Sequence, residues 1–252
     1  MNTNAIKDLL FRMADDKLIM GHRSSEWIGL GPILEEDIAF ASMAQDEIGH
    51  AQAYYQLLQE LGEADPDTVA FTRSVEDFRC CHLVEYPIGT YAFSLMRHYL
   101  FEMADMVRLR HLSKSAYGPL AELCTKISRE EKYHQMHGKT FVRQLSRSTD
   151  EAKAHIQAAM DEAYPMSFGL FEPTVHSTTL AADGILPLED ELMKEYRMIV
   201  EPFLLGECGL RLPSVENFVD HFGGRSGHHT EHLGGLLSEM TEVYAIDPAA
   251  KW

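Results

Sequence analysis

The stretch from residue 40 to residue 61, FASMAQDEIGHAQAYYQLLQEL, decides the fold. Its apolar side chains recur every three or four residues, so they share one face of a helix and mark that face as buried. A carboxylate, Glu47, and a histidine three residues later, His50, stand on that face. Residues 120–145, LAELCTKISREEKYHQMHGKTFVRQL, repeat the arrangement with Glu131 and His134. Both segments therefore direct charged groups toward a helix interface, where an unpaired charge is costly.

Two further helical patterns each contribute one acid to the same level. They run from about residue 3 to 27 and from about 88 to 113, and their apolar stripes contain Asp16 and Glu102. In an antiparallel helix pair, residues equally far from the connecting turn lie level, which places Asp16 opposite Glu47 and Glu102 opposite Glu131. Asp15 competes with Asp16 and Asp105 with Glu102, although the helix faces of both competitors are more polar.

The spacing of these groups predicts a carboxylate-bridged metal centre. The two Glu-x-x-His pairs lie 84 residues apart (131 − 47) and Glu102 follows Asp16 after 86 (102 − 16), as expected of pseudo-twofold symmetry. Four carboxylates balance two divalent ions, and ferritin-like di-iron and di-manganese proteins use this donor set. The predicted ligands, for two iron ions or alternatively manganese, are Asp16, Glu47, His50, Glu102, Glu131 and His134. The alternatives are solvated acids on an outer helix face and core histidines that bond to a nearby acid.

The predicted fold class is all-α, a ferritin-like four-helix bundle with a long crossover between helices two and three. The second helix runs from about residue 33 to 61 and the fourth from about 119 to 146, and about 25 residues connect helices two and three. We expect a single ferritin-like domain over 1–252, with a core bundle over about 3–146 and a C-terminal helical extension over about 150–252. Helical patterns in the extension cover about 150–164, 189–209 and 229–244.

Composition excludes several classes of protein. The net charge of −17, from 22 basic and 39 acidic residues, repels nucleic acid and anionic membranes. The sequence has neither an apolar run of 18 residues nor a signal-peptide pattern, so we expect a cytoplasmic protein without a membrane partner. The four cysteines form no C-x-x-C motif, which favours reduced thiols over disulfides.

A glycine- and histidine-rich segment, residues 223–240, begins the last helix. We interpret Arg225, His229, Glu231 and His232 as a structural or partner-binding motif, in which glycines allow a tight entry and the polar side chains bond to neighbours. A metal held by His228 and His232, with help from Glu231, is the alternative.

Several motifs resemble the C-subunit family of bacterial phenylacetyl-CoA epoxidases, which act in phenylacetic acid degradation. The motifs are GHRSSEW (21–27), EEDIA (35–39), AFTR (70–73), EKYH (131–134) and the 223–240 segment. The resemblance implies a ferritin-like fold and membership of a multicomponent oxygenase that epoxidises the ring of phenylacetyl-CoA. It also implies two partners, a flavin and iron-sulfur reductase and a homologous catalytic A subunit, in a homodimer or hetero-oligomer. In that family the C subunit is regarded as a structural partner that has lost metal ligands, whereas both Glu-x-x-His pairs stand here.

Three functions follow from these observations. The first is a subunit of a di-iron monooxygenase complex whose own metal ligands take part in epoxidation. The second is a non-catalytic structural subunit that binds and stabilises the catalytic subunit. The third is a ferritin-like protein of iron storage or peroxide removal, since such proteins use similar bundles.

Overall fold

The computed structural model describes residues 1–214 and 218–247, and within them it contains helices and no strand. The helices are α1 Thr3–Ser25, α2 Leu34–Glu60, α3 Pro66–Phe71, α4 His82–Glu85, α5 Tyr91–Leu112, α6 Gly118–Ser146, α7 Asp150–Ser167, α8 Ser177–Ala182, α9 Glu189–Pro202 and α10 Glu231–Thr241. The four long helices α1, α2, α5 and α6 correspond to the four stripes predicted from the sequence. The protein is an all-α, ferritin-like bundle, which confirms the predicted fold class.

Local signals explain where the long helices begin. The side chain of Asn2 accepts hydrogen bonds from the first backbone N–H groups of α1, and Thr90 does the same for α5. Pro119 stands in the first turn of α6, where a missing N–H has no cost. These caps set the register that determines which residues of each helix face inward.

The bundle consists of two antiparallel pairs, α1 with α2 and α5 with α6. Close approach within each pair requires a glycine. A Cβ added to Gly21 would lie 2.8 Å from the Ile48 side chain on α2, and one added to Gly138 would lie 3.2 Å from the Cα of Tyr99 on α5. The two helices of each pair are therefore held at a short backbone distance. The central cluster of polar side chains lies between the two pairs.

The connection between α2 and α5 is more structured than the sequence analysis predicted. It contains the short helices α3 and α4, and the start of α3 is capped by Asp65. The C-terminal helices cover the bundle: α7 and α9 pack on α5, and α10 packs near α3 and α4. Covered in this way, α5 is buried along nearly its whole length.

Candidate metal centre

A cluster of acids and histidines lies at the centre of the bundle. We call Glu47, His50, Glu102, Asp105, Glu131 and His134 the acid–histidine cluster; each is at most 5% exposed. Glu47, Glu102, Glu131 and His134 each present one donor atom within 4.8 Å of the others. The structure thus brings five of the six predicted ligands together, and it adds Asp105, which the sequence analysis had ranked below Glu102.

A lysine stands inside this cluster. The Lys17 ammonium Nζ lies 2.6 Å from Glu131 Oε1, 2.8 Å from Asp105 Oδ2 and 2.9 Å from Glu47 Oε2, and its side chain is 1% exposed. Burial by itself would lower the pKa of Lys17, but Asp105, Glu131 and Glu47 together raise that pKa well above its ordinary value. The ammonium is therefore a permanent cation at neutral pH.

Lys17 lies where the pseudo-twofold symmetry predicts an acid. It precedes Glu102 by 85 residues (102 − 17), close to the 84 that separate the two Glu-x-x-His pairs. Lys17 on α1 and Glu102 on α5 thus have nearly the spacing of Glu47 and Glu131, and the Lys17 ammonium contacts both of those glutamates. The cluster therefore takes two acids, Glu102 and Asp105, from α5 and none from α1, and it contains a positive charge where the α1 acid was expected.

The prediction of Asp16 as a metal ligand is wrong. One residue along a helix is a rotation of about 100°, and Asp16 accordingly points away from the cluster. Its carboxylate pairs with both terminal nitrogens of Arg225, at 2.8 Å each, and with Arg108 at 3.1 Å. Burial would raise the pKa of Asp16, but Arg225 and Arg108 outweigh it and lower that pKa. The competing Asp15 is also outside the cluster, because it pairs with Arg73 at 2.6 Å.

The two histidines of the cluster are held in matching ways. His134 directs Nδ1 inward and places Nε2 3.2 Å from Asp46 on α2, whereas His50 directs Nδ1 inward and places Nε2 2.9 Å from Glu130 on α6. Each outer acid immediately precedes the cluster glutamate of its own helix. Outer acids of this kind fix the orientation and tautomer of a metal-binding imidazole.

The pKa shifts of the cluster acids differ between the side near Lys17 and the side near Glu102. Burial and the neighbouring Glu131 raise the pKa of Glu102 well above its ordinary value. Burial would also raise the pKa of Glu131, but Lys17 and the hydrogen bonds with Glu102, His134 and His50 together hold that pKa well below the usual range. The negative charge on the Lys17 side is therefore compensated by the ammonium, and the charge on the Glu102 side is not.

The C-terminal motif contributes two buried anchors. Arg225 forms the pair with Asp16, and the His229 Nδ1 lies 2.7 Å from Glu85, which also accepts hydrogen bonds from Thr230. A Cβ added to Gly224 would collide with the backbone oxygen of Cys80, so the segment approaches the core closely. These contacts give Arg225 and His229 a structural position inside the protein.

The other two members of the motif lie nearer the surface. Glu231 is the exposed first residue of α10, and the ring of His232 packs on Tyr86 with centroids 5.0 Å apart. His228 precedes α10, so the helical i, i+4 relation to His232 that the alternative metal site required is absent. A second group of possible metal ligands, Cys80, Glu85 and His229, was not predicted from the sequence.

All four cysteines are free and buried, in agreement with the expectation of reduced thiols. No helix in the described part of the chain combines the length and apolar composition that crossing a bilayer requires.

Comparisons with known proteins agree with this architecture. Among solved structures, "Protein 19 with aldehyde deformylating oxidase activity from Synechococcus" superposes with a TM-score of 0.52 at 19% identity, over 82% of this chain and 88% of that one. At this identity the likeness shows the fold alone. The chain is also 24% identical to the A subunit of the 1,2-phenylacetyl-CoA epoxidase of Escherichia coli (strain K12), over 81% of this chain and 66% of that one.

A second relative matches from end to end. The chain is 30% identical to the C subunit of the same Escherichia coli (strain K12) 1,2-phenylacetyl-CoA epoxidase over 251 residues, which are 99% of this chain and 100% of that one. Residues 1–252 match the family described as "Phenylacetic acid catabolic protein". The chain therefore belongs to the family of phenylacetic acid catabolic proteins and has a role in phenylacetate catabolism.

Proposed function

We propose that this chain is a non-catalytic subunit of a multicomponent phenylacetyl-CoA epoxidase and that it binds and stabilises a homologous A-type subunit. The end-to-end similarity to the C subunit of such an enzyme, together with the partial similarity to its A subunit, supports this assignment. In it, epoxidation of the ring takes place on the A-type subunit, and a flavin and iron-sulfur reductase supplies the electrons.

The position of Lys17 is the observation that carries the proposal. In two-metal sites the ions lie about 3.5–4 Å apart and share bridging ligands. The ammonium lies within 2.9 Å of Glu47 and Glu131, the residues expected to bridge the ions, and so occupies one ion position and neutralises part of the charge meant for it. The two-iron or two-manganese centre expected from the sequence does not fit this arrangement, and no oxygen chemistry is assigned to this chain.

The charge of the chain supports the same division of labour. Coenzyme A carries several phosphate charges, and a chain of net charge −17 disfavours their binding. The basic groups that bind phenylacetyl-CoA are therefore assigned to the partner subunit.

An exposed apolar surface is available for contact between subunits. Five large apolar side chains around the turn between α1 and α2 and the start of α2 are between 51% and 70% exposed. They are Ile28, Leu30, Ile33, Leu34 and Ile38. Large apolar side chains exposed within one short segment of a folded protein are typical of a protein interface.

Reconstitution of the complex tests the proposal. The reductase and the A-type subunit, both purified, are combined with the wild-type chain, with Glu102→Gln or with the exposed control Glu122→Gln, and epoxidation of phenylacetyl-CoA is measured. Omission of the chain should abolish stable assembly, whereas both variants should retain turnover within about twofold of wild type. Size-exclusion chromatography confirms that each variant assembles.

A selective loss of turnover would overturn the proposal. If Glu102→Gln assembled normally but lowered turnover about 100-fold relative to Glu122→Gln, the chain's own acids would take part in the reaction. Measured ferroxidase or catalase activity of the chain alone would instead support the storage or peroxide alternative.

A further inference from the structure

The Glu102 side of the acid–histidine cluster contains polar atoms that have only one another as neighbours. Both carboxylate oxygens of Glu102, Oε2 of Glu131 and Nδ1 of His134 have no hydrogen-bond partner outside the cluster, and all three residues are 0% exposed. Unsatisfied buried polar atoms are rare and costly in folded proteins. Their convergence on one point indicates that another group belongs between them.

The donors have the geometry of a ligand set. The Nδ1 of His134 lies 3.2 Å from Glu131 Oε2, 3.5 Å from Glu102 Oε1 and 3.5 Å from Glu47 Oε1. Asp46 lies 3.2 Å from the Nε2 of the same ring, so Nδ1 is the ring nitrogen that faces the cluster. Glu131 and Glu102 come from different helices, so an ion between them would join α5 to α6 and, through Glu47, to α2.

With all four acids ionised and both histidines neutral, the charges of the cluster leave room for one divalent cation. Glu47, Glu102, Asp105 and Glu131 bring four negative charges when ionised. Lys17 brings one positive charge and Arg108, 3.3 Å from Asp105, brings a second. Asp16 also contacts Arg108, but Arg225 already compensates the charge of Asp16, so the positive charge of Arg108 counts toward the cluster. Two negative charges remain, and Glu102 is the acid that pairs with neither of these cations.

We propose that the Glu102 side of the cluster binds a single divalent first-row metal ion through Glu102, Glu131 and His134, with Glu47 as a fourth ligand. Carboxylates with one imidazole suit Mn²⁺, Fe²⁺ and Zn²⁺. The ion stabilises the junction of three helices beside a fixed ammonium. This site goes beyond the proposed function and does not rest on it, since a subunit that binds its partner needs no metal.

Titration of the metal-free full-length chain with Mn²⁺ tests the site. Free Mn²⁺ is measured by electron paramagnetic resonance, and the melting temperature is recorded in parallel. Wild type should bind one ion per chain, and at 100-fold excess over Kd its melting temperature should rise by roughly 5–10 °C. Glu102→Gln and His134→Gln should each lose binding at least about tenfold, a change of 1.4 kcal/mol in binding free energy. The exposed variant Glu122→Gln should bind as wild type.

Two outcomes would overturn the proposal. The first is no bound Mn²⁺ and no thermal shift with either Mn²⁺ or Zn²⁺, which would mean that protons neutralise the cluster. The second is equal binding by wild type, Glu102→Gln and His134→Gln, which would place the ion elsewhere. Because the wild-type titration decides the first outcome, the test stands even if a variant fails to fold. Neither outcome affects the assembly assay, whereas two ions per wild-type chain would contradict the role given to Lys17.

Discussion

Replacing Lys17 by methionine should destabilise the protein strongly. Methionine has nearly the same length but no charge, so three buried carboxylates at 2.6 to 2.9 Å would lose their shared cation. Removing one partner of a buried ion pair costs about 3–5 kcal/mol. For a chain of this size, that loss should lower the melting temperature by roughly 6–20 °C. Urea unfolding at pH 7 in chelator-treated buffer measures the free energy of unfolding directly.

Lys7→Met is the matched control on the same helix. Lys7 pairs with Glu63 at a similar distance, 2.7 Å, but the two side chains are 23% and 34% exposed. Partly exposed ion pairs contribute only about 0–1 kcal/mol. If Lys17→Met cost no more than Lys7→Met, with the same denaturant dependence, the ammonium would not be neutralising the buried acids and the reasoning would be refuted.

The effect of Lys17 should also depend on pH. Burial would raise the pKa values of Glu131 and Glu47, but Lys17, helped by hydrogen bonds with His134, holds both below their ordinary range. A group whose pKa is depressed in the folded state contributes stability above its unfolded pKa, about 4.3 for glutamate. The difference in unfolding free energy between wild type and Lys17→Met should therefore be complete at neutral pH and shrink as the pH falls through the folded pKa values.

Three further predictions concern the parts of the fold that surround the cluster. Arg225→Met should cost about 3–5 kcal/mol because it leaves a buried carboxylate without its bidentate partner, whereas Arg211→Met, an exposed change, should alter urea stability by less than about 0.5 kcal/mol. Gly21→Ala should destabilise the protein by about 1–3 kcal/mol because the added methyl group overpacks against α2. Gly49→Ala, with open space around it, should stabilise the protein by about 0.4–1 kcal/mol. If thermal unfolding showed the opposite order of stability, the close approach of α1 and α2 would be contradicted. Because the pKa of Asp16 is lowered in the folded state, wild type should be more stable than Asp16→Asn above about pH 4. The difference in unfolding free energy should narrow at lower pH, and acid titration of both proteins measures it.

Much of the fold was predictable because its signals are local. Apolar periodicity located the four long helices, and the crossover length indicated the bundle topology. The short helices α3 and α4 were missed because, at six and four residues, they are too short to show a period. Their stability comes from packing on the bundle and not from their own sequence.

The buried acid–histidine cluster was predictable partly in residue, and its use as a metal site stays a prediction. Glu47, Glu131 and the two histidines followed from spacing alone, since the i, i+3 relation fixes their common face. The prediction that Asp16 on α1 faces the cluster failed because counting residues from a turn gives the position of a residue along the helix axis. It does not give the direction in which the side chain points around that axis. Counting from the turn placed residues at about 14–16 level with Glu47, and the residue that faces Glu47 in the structure is Lys17.

The inward position of Lys17 has a signal in its neighbours along α1. The residues one and two turns away, Leu10, Met13, Met20 and Gly21, are apolar or small, and all of them are buried. Lysine is almost never fully buried without partners, and Lys17 was not among the predicted site residues. The pairing of Asp16 with Arg225 had no local signal, because 209 residues separate the two.

A crystal structure of the protein soaked in Mn²⁺, with anomalous diffraction, tests most directly whether a lysine replaces one ion of the expected pair. The account predicts density for the Lys17 ammonium between Glu47, Asp105 and Glu131, and no more than one anomalous peak, near Glu102 and His134. Two peaks bridged by Glu47 and Glu131, with the Lys17 side chain displaced, would contradict it.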